Sequence, residues 1–211
     1  MKKLLLLLVL CSFQTYAQYF EAKILMNDGQ IKESIAKLPS NKLLDGNIEF
    51  KSNSKGEIQK LSHDDVSQIL YTSKTGSQFL FENNYAVHLY KSFGKEYKTT
   101  KKNKHWMLLI HANPSLKEYS LAQRYKLNKK GVMTSITDGN SFWSTIYFLL
   151  KRPNEDDASI VSGKGFTNGM VRKAMAIYFD DNPEFVKRIE DKEFKKSNVK
   201  DVADAYAKYY E

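Results

Sequence analysis

Residues 20–38 read FEAKILMNDGQIKESIAKL. Phe20, Ala22, Ile24 and Met26 fall on one side of an extended chain, with Glu21 and Lys23 on the other. Such alternation marks a strand with one buried face, because successive side chains of an extended backbone point opposite ways. Asn27-Asp28-Gly29-Gln30 follows. An Asp-Gly pair tolerates the positive φ angles of a tight hairpin turn, so residues 31–38 are the return strand.

The same pattern continues downstream. Ile48 and Phe50 mark a short strand, Asn53-Ser54-Lys55-Gly56 a turn, and residues 57–61 the partner across it. Ser62 ahead of Asp64 and Asp65 predicts one capped helical turn, since side-chain oxygens and negative charge satisfy the open amides of a helix start. Residues 68–72, 78–82 and 85–90 resume the strand pattern, separated by Lys74-Thr75-Gly76 and Asn83-Asn84. Residues 106–112 are strongly apolar and stop at Asn113-Pro114. Residues 119–127 and 132–136 read as extended, joined by Lys129-Lys130-Gly131. After Asp138-Gly139-Asn140 comes the apolar stretch 142–150, read as a strand with a buried helix as the alternative. Short strands and frequent turns predict an antiparallel sheet, a sandwich or a partial barrel.

The period changes after Pro153. Thr167 caps a helix running to about residue 179, with Met170, Val171, Ala174, Ile177 and Tyr178 spaced to one side. Asn182-Pro183-Glu184 combines a capping side chain, a proline at the first helical position and an early acid, with Val186 and Ile189 turned inward. Asn198 and Asp201 resemble a capping box, and Val199, Val202, Ala203, Tyr206 and Tyr210 form a third stripe. The expectation is an α+β chain: a β-rich body over 18–152, a linker over 153–165 and a three-helix tail over 166–211 packed on the body.

Residues 1–17 read MKKLLLLLVLCSFQTYA. Two lysines, an unbroken apolar run and a Thr-Tyr-Ala end have the layout of a secretory signal, with cleavage expected after Ala17. The run is shorter than the roughly 20 residues needed to span a bilayer. Cys11 is the sole cysteine, and Leu10 stands before it where lipid attachment needs a small residue. Cys11 therefore reads as part of the discarded signal, and the mature chain is expected to lack disulfides and thiol chemistry. The expected location is the periplasm or the exterior. Removing Lys2 and Lys3, with no acid before Glu21, lowers the formal charge from +9 to +7. A hydrophobic content of 42% supports a sizeable core.

Three stretches carry a resemblance. One runs from Asn27-Asp28-Gly29 through His63-Asp64-Asp65-Val66 to Ile69-Leu70-Tyr71. The second joins Tyr147-Phe148-Leu149 to Lys151-Arg152-Pro153-Asn154-Glu155. The third runs from Tyr178-Phe179-Asp180-Asp181-Asn182-Pro183-Glu184 through Lys192-Glu193-Phe194 to Tyr209-Tyr210. In these the chain resembles a family of exported proteins of Bacteroidota-type bacteria that has no assigned activity. Many relatives carry a cysteine near the start of the second tail helix, where this chain has Asn182. The resemblance implies compartment and architecture only.

Candidate chemistry is sparse. His63 beside Asp64 and Asp65 could ligate a divalent ion, but a helix cap explains the acids more simply. His105 and His111 would share a strand face at a separation of about 20 Å, too far for one metal shell. Ser162-Gly163-Lys164-Gly165 lacks the spacing of a phosphate loop or a hydrolase elbow and reads as a hinge. Glu155, Asp156, Asp157, Asp180 and Asp181 could pair as in glycosidases, yet all lie in polar, turn-like stretches. No catalytic residue, metal or cofactor is expected.

The strongest binding candidate is residues 91–104, with six lysines and a single acid, Glu96. Tyr97, His105 and Trp106 interleave aromatic surface with that charge. Lys98, Lys101, Lys102 and Lys104 are the candidate anion-binding residues; a solvated hairpin, whose lysines discourage edge pairing, is the plainer reading. Three functions follow: a non-enzymatic envelope or periplasmic protein that binds a partner, an anionic surface among the candidates, through the sheet or the lysine-rich stretch; an enzyme whose site is assembled from distant residues; or a scaffold or interaction subunit, without a small ligand, that meets another envelope protein. Nucleic acid is a poor partner for an exported chain.

Overall fold

The computed structural model describes residues 19–42, 47–137, 145–194 and 199–210. The signal reading of 1–17, the 138–140 turn and the Asn198 cap lie outside the described residues. β1 (Tyr19–Met26) and β2 (Ile31–Lys37) form the hairpin expected from their alternation. Phe20, Ala22 and Ile24 are buried and Glu21 and Lys23 exposed. Gly29 takes the turn at a φ of 85°.

The other strands are β3 (Ile48–Lys51), β4 (Gln59–Leu61), β5 (Val66–Thr72), β6 (Gln78–Asn84), β7 (Ala86–Ser92), β8 (Lys95–Thr100), β9 (His105–Ala112), β10 (Lys117–Leu121), β11 (Arg124–Leu127), β12 (Met133–Ile136), β13 (Tyr147–Lys151) and β14 (Ala158–Gly163). Ser62 caps a single 3-10 turn, His63–Asp65, by accepting from the Asp64 amide at 3.2 Å. Twelve strands form one sheet in the order β4-β3-β2-β1-β5-β6-β9-β10-β13-β14-β7-β8, and β11–β12 form a second. Pairing is antiparallel except between β14 and β7, which run parallel.

This order forces curvature. Only Tyr85 separates β6 from β7, so Asn84 and Ala86 lie within about 7 Å. A flat sheet would hold them five strand spacings, roughly 24 Å, apart. The segment from β6 to β7 therefore bends round on itself without closing into a barrel. Its inner face buries Met107, Tyr119, Leu149, Ile160 and Ala86. Among them lies the Glu82 carboxylate, which accepts from the Tyr119 hydroxyl at 2.6 Å and the Lys117 ammonium at 2.9 Å. Burial alone would raise its pKa, but those bonds more than offset burial and hold it below the ordinary value. Lys151 donates to Asn84 beside it at 2.8 Å.

The outer face carries two larger cores. At one end, residues of β1, β5, β6 and β9 pack with Ala122 and Tyr125 under the β11–β12 hairpin. At the other, Leu89, Leu150 and Val161 receive α1 (Asn168–Tyr178), α2 (Pro183–Glu190) and α3 (Val199–Tyr210). The caps are those expected: Thr167 accepts from the Met170 amide at 3.2 Å and Asn182 from the Phe185 amide at 3.0 Å. Met170, assigned to the inward stripe, is instead 49% exposed, and Met175 takes its place in the core.

Three local readings change. The stretch 153–165 is not a simple linker, because it contains β14. Every residue of β14 is buried, so it lacks the alternation that reveals a half-exposed strand. Asn83 and Asn84, read as a turn, end β6. The Asn83 amide nitrogen donates to the carbonyls of His63 and Val66, at 2.6 and 3.1 Å, which satisfies its N–H groups inside the sheet. Residues 119–127 break at Ala122-Gln123 into β10 and β11.

Arg152 joins the helices to the sheet. Its guanidinium lies 4.8 Å from the Tyr178 ring centre, 5.6 Å from Phe179 and 5.4 Å from Tyr206. It pairs with Asp181 at 2.7 Å and Glu155 at 3.5 Å, and the Tyr178 hydroxyl donates to Glu155 at 2.7 Å. The Arg152 side chain is only 17% exposed. Truncating one member of such a partly buried set strands its partners, so Arg152→Ala is expected to cost about 3 kcal/mol in urea unfolding. Arg152→Lys, which keeps the charge but not the flat stacking group, should fall between.

The α3 contact generates a pH dependence. His111 on β9 pairs with Asp204 on α3 at 2.7 Å, and Glu118 on β10 stands directly across from His111. Glu118 is 5% exposed, and burial pushes its pKa up to about 7, with Asp204 adding to the rise and His111 opposing it. A carboxyl whose folded pKa exceeds its unfolded value stabilises the fold fully below about pH 4.5 and loses that contribution as pH rises through 7. Urea midpoints of the wild type should therefore fall between pH 5 and 8 relative to Glu118→Gln, and a constant difference would refute this assignment.

Candidate functional site

The lysine-rich stretch folds as the β7–β8 hairpin. β14 pairs with β7 only through Ala86, Val87 and His88. Leu89↔Lys98, Tyr90↔Tyr97, Lys91↔Glu96 and Ser92↔Lys95 continue beyond it, paired only with each other, so the hairpin parts from its sheet neighbour after His88. Every residue of β8 is exposed. Phe93 and Gly94 make the two-residue turn, with φ of 49° and 77°. Positive φ at both positions matches the right-handed twist of the strands, and Gly or Asn ordinarily supply it. Phe93 is instead a bulky residue in a left-handed conformation, with its side chain 100% exposed.

Alternation sorts the neighbouring side chains onto two faces. One carries Tyr90, Tyr97 and Lys95. The tyrosine rings stack with centres 5.1 Å apart at 11°, yet remain 47% and 38% exposed. The opposite face carries Leu89, Lys91, Glu96 and Lys98 and looks toward α1. There Lys91 pairs with Glu96 at 3.4 Å and Lys98 with Asp180 at 3.5 Å. Both partners of each pair are largely exposed, so each pair is worth less than about 1 kcal/mol. An anionic surface can therefore displace the acid.

The four candidate lysines are not brought into one patch. Lys98 is turned toward Asp180. Lys101 falls on the tyrosine-bearing side, half-buried, its ammonium 5.4 Å from the Tyr147 ring centre. Lys102 is exposed, and Lys104 lies over the Tyr85 ring at 5.6 Å. Burial lowers the Lys101 pKa to about 8. Burial, with the charges of Lys101 and His63, lowers His105 to about 4, and burial with Lys101 lowers His88. Near neutral pH the two imidazoles are uncharged, and lysines supply the charge of this region.

The remaining candidates resolve into structural roles. His63 contacts Asp64 at 3.2 Å within its capped turn. His105 and His111 do not share a face, because the register shifts opposite Glu118 and Tyr119 and Ile110 is inserted as a bulge. Among the described residues, no group of three or more histidines and acids could hold a metal ion. Glu155, Asp156, Asp157, Asp180 and Asp181 do line one groove, together with Arg152 and Lys98. Glu155 and Asp181 are tied to Arg152 and Asp180 to Lys98. Ser162 is buried in β14. A cavity of about 200 Å³ bordered by His105, Leu121, Gln123 and Tyr147 opens beside the curled segment.

Phe93 and Tyr90 were not singled out from the sequence. The available signal was an aromatic residue before a glycine at the centre of two alternating strands. No helix among the described residues is long and apolar enough to cross a membrane. No family model matches the chain, and no curated protein or solved structure is significantly similar to it.

The turn makes its own test. Phe93 contributes no burial and holds a conformation costly for a residue with a Cβ. Phe93→Asn is expected to raise stability by about 0.5–1 kcal/mol in urea unfolding. A loss of stability would show that Phe93 serves the fold.

Proposed function

We propose that this chain is an exported envelope protein of the Bacteroidota-type family it resembles, and that it binds anionic surfaces through the β7–β8 hairpin without catalysing a reaction. One observation carries the reading: a hairpin that parts from its sheet neighbour and displays lysines beside an exposed aromatic turn. Lysine charge attracts anionic headgroups or acidic glycans, and the exposed rings add apolar contact. The weak pairing of Lys98 and Lys91 leaves their charge recruitable. The N-terminal export pattern supports the compartment. Three of the five acids that could have suggested hydrolysis, Glu155, Asp180 and Asp181, are engaged by Arg152 and Lys98.

The test is co-sedimentation with vesicles containing anionic lipid, with neutral vesicles as control. Binding should weaken as salt rises, because each lysine near an anionic surface is worth about 1 kcal/mol and is screened. Replacing Lys95, Lys98, Lys102 and Lys104 with glutamine should lower affinity at least tenfold and flatten the salt dependence. Lys101 is left intact because it packs against Tyr147. Equal binding by the quadruple variant would remove the hairpin from consideration.

A further inference from the structure

Resting on the anionic-surface reading, we infer that the partner of the hairpin is a lipid bilayer, and that Phe93 enters its apolar interface as a wedge. Three independent features converge on the turn. Phe93 is completely exposed at the tip of a hairpin that is free of its sheet neighbour from Leu89 onward. It occupies a positive-φ position that a glycine or asparagine would fill more cheaply. Immediately behind it stands the stacked Tyr90–Tyr97 pair, with both rings open to solvent.

The chemistry of these layers matches the depth profile of a bilayer surface. A hairpin entering turn first, with its tyrosine face toward the lipid, brings Phe93 in deepest, with Lys95 and then Tyr90 and Tyr97 behind it. Phenylalanine gains from leaving water, and tyrosine, apolar in body and polar at its tip, sits at headgroup level. At about 3.4 Å per residue, the tyrosine pair lies roughly 10 Å behind the turn, comparable to the depth reached by interfacial segments. Lys91 and Lys95 flank the turn within two residues, and their flexible stems can carry the ammonium groups back to the phosphates. Lys98, Lys102 and Lys104 supply attraction during approach. A polyanionic glycan would use the lysines equally well. It offers no apolar layer in which a phenyl ring projecting beyond them could be buried.

The test separates insertion from electrostatic attachment. Wild type, Phe93→Asn and the four-lysine glutamine variant are each measured on anionic vesicles and on a sulfated polysaccharide resin. Phe93→Asn is expected to bind vesicles about tenfold or more weakly, the loss corresponding to one unburied phenyl group, and to elute from the resin at the wild-type salt concentration. The glutamine variant should lose both. A Phe93→Trp chain, read as the difference from wild type, should shift its emission to the blue on vesicles and be quenched by lipids brominated along the acyl chain. Unchanged vesicle binding by Phe93→Asn, an equal loss on both supports, or an unquenched tryptophan would overturn insertion and leave the electrostatic reading standing. Failure of the wild type to bind vesicles or resin would overturn both.

Discussion

The guanidinium of Arg152 stacks against Tyr178, Phe179 and Tyr206 while its edges bond Glu155 and Asp181. This contact gathers the turn after β13, the end of α1 and the last helix at one point. It also joins two stretches far apart in sequence, Lys151-Arg152-Pro153-Asn154-Glu155 and Tyr178-Phe179-Asp180-Asp181. A lone charge in this setting would oppose folding. Two carboxylates and three ring faces make it a joint, and they do so only with the helices docked. Asp180, next in sequence to this set, is the residue that reaches Lys98 on the hairpin. The helical tail thus backs one face of the hairpin and leaves the other to solvent.

Curvature completes the arrangement. Because a single residue joins β6 to β7, the strands between them must bend, and a small core with a bonded Glu82 fills the bend. β7 then enters the sheet beside β14 over only three residue pairs, which releases its far half. The exposed turn follows from the pairing: β14 continues to Gly163 along β13, but its register with β7 stops at Ile160 and His88. Small residues at the anchor, Ala86 and Ala158, are paired and fully buried inside the bend.

Much of this fold was readable in the residues. Alternation from Phe20 to Met26, the Asp28-Gly29 turn and the Thr167 and Asn182 caps are local signals, and each appears where it was expected. Strand β14 was hidden because its two buried faces erase alternation, and its glycine suggested a hinge. Asn83 and Asn84 looked like a turn because the groups they bond are distant in sequence, the carbonyls of His63 and Val66 and the ammonium of Lys151. The parallel β14–β7 pairing and the bulge at Ile110 leave no local trace either. At the candidate site, the lysines were visible as composition. Their division between two faces was not, since it depends on the register of Tyr90 with Tyr97, and the prominence of Phe93 depends on where the β14–β7 pairing stops.

The central claim is that one face of one hairpin meets an anionic bilayer. Hydrogen–deuterium exchange with and without anionic vesicles tests it most directly, because it surveys the whole backbone at once. Slowed exchange concentrated in residues 89–98, with the helices and the β1–β2 hairpin unchanged, is the result this account requires. Protection centred on any other surface, or none on the hairpin of a vesicle-bound chain, would contradict it.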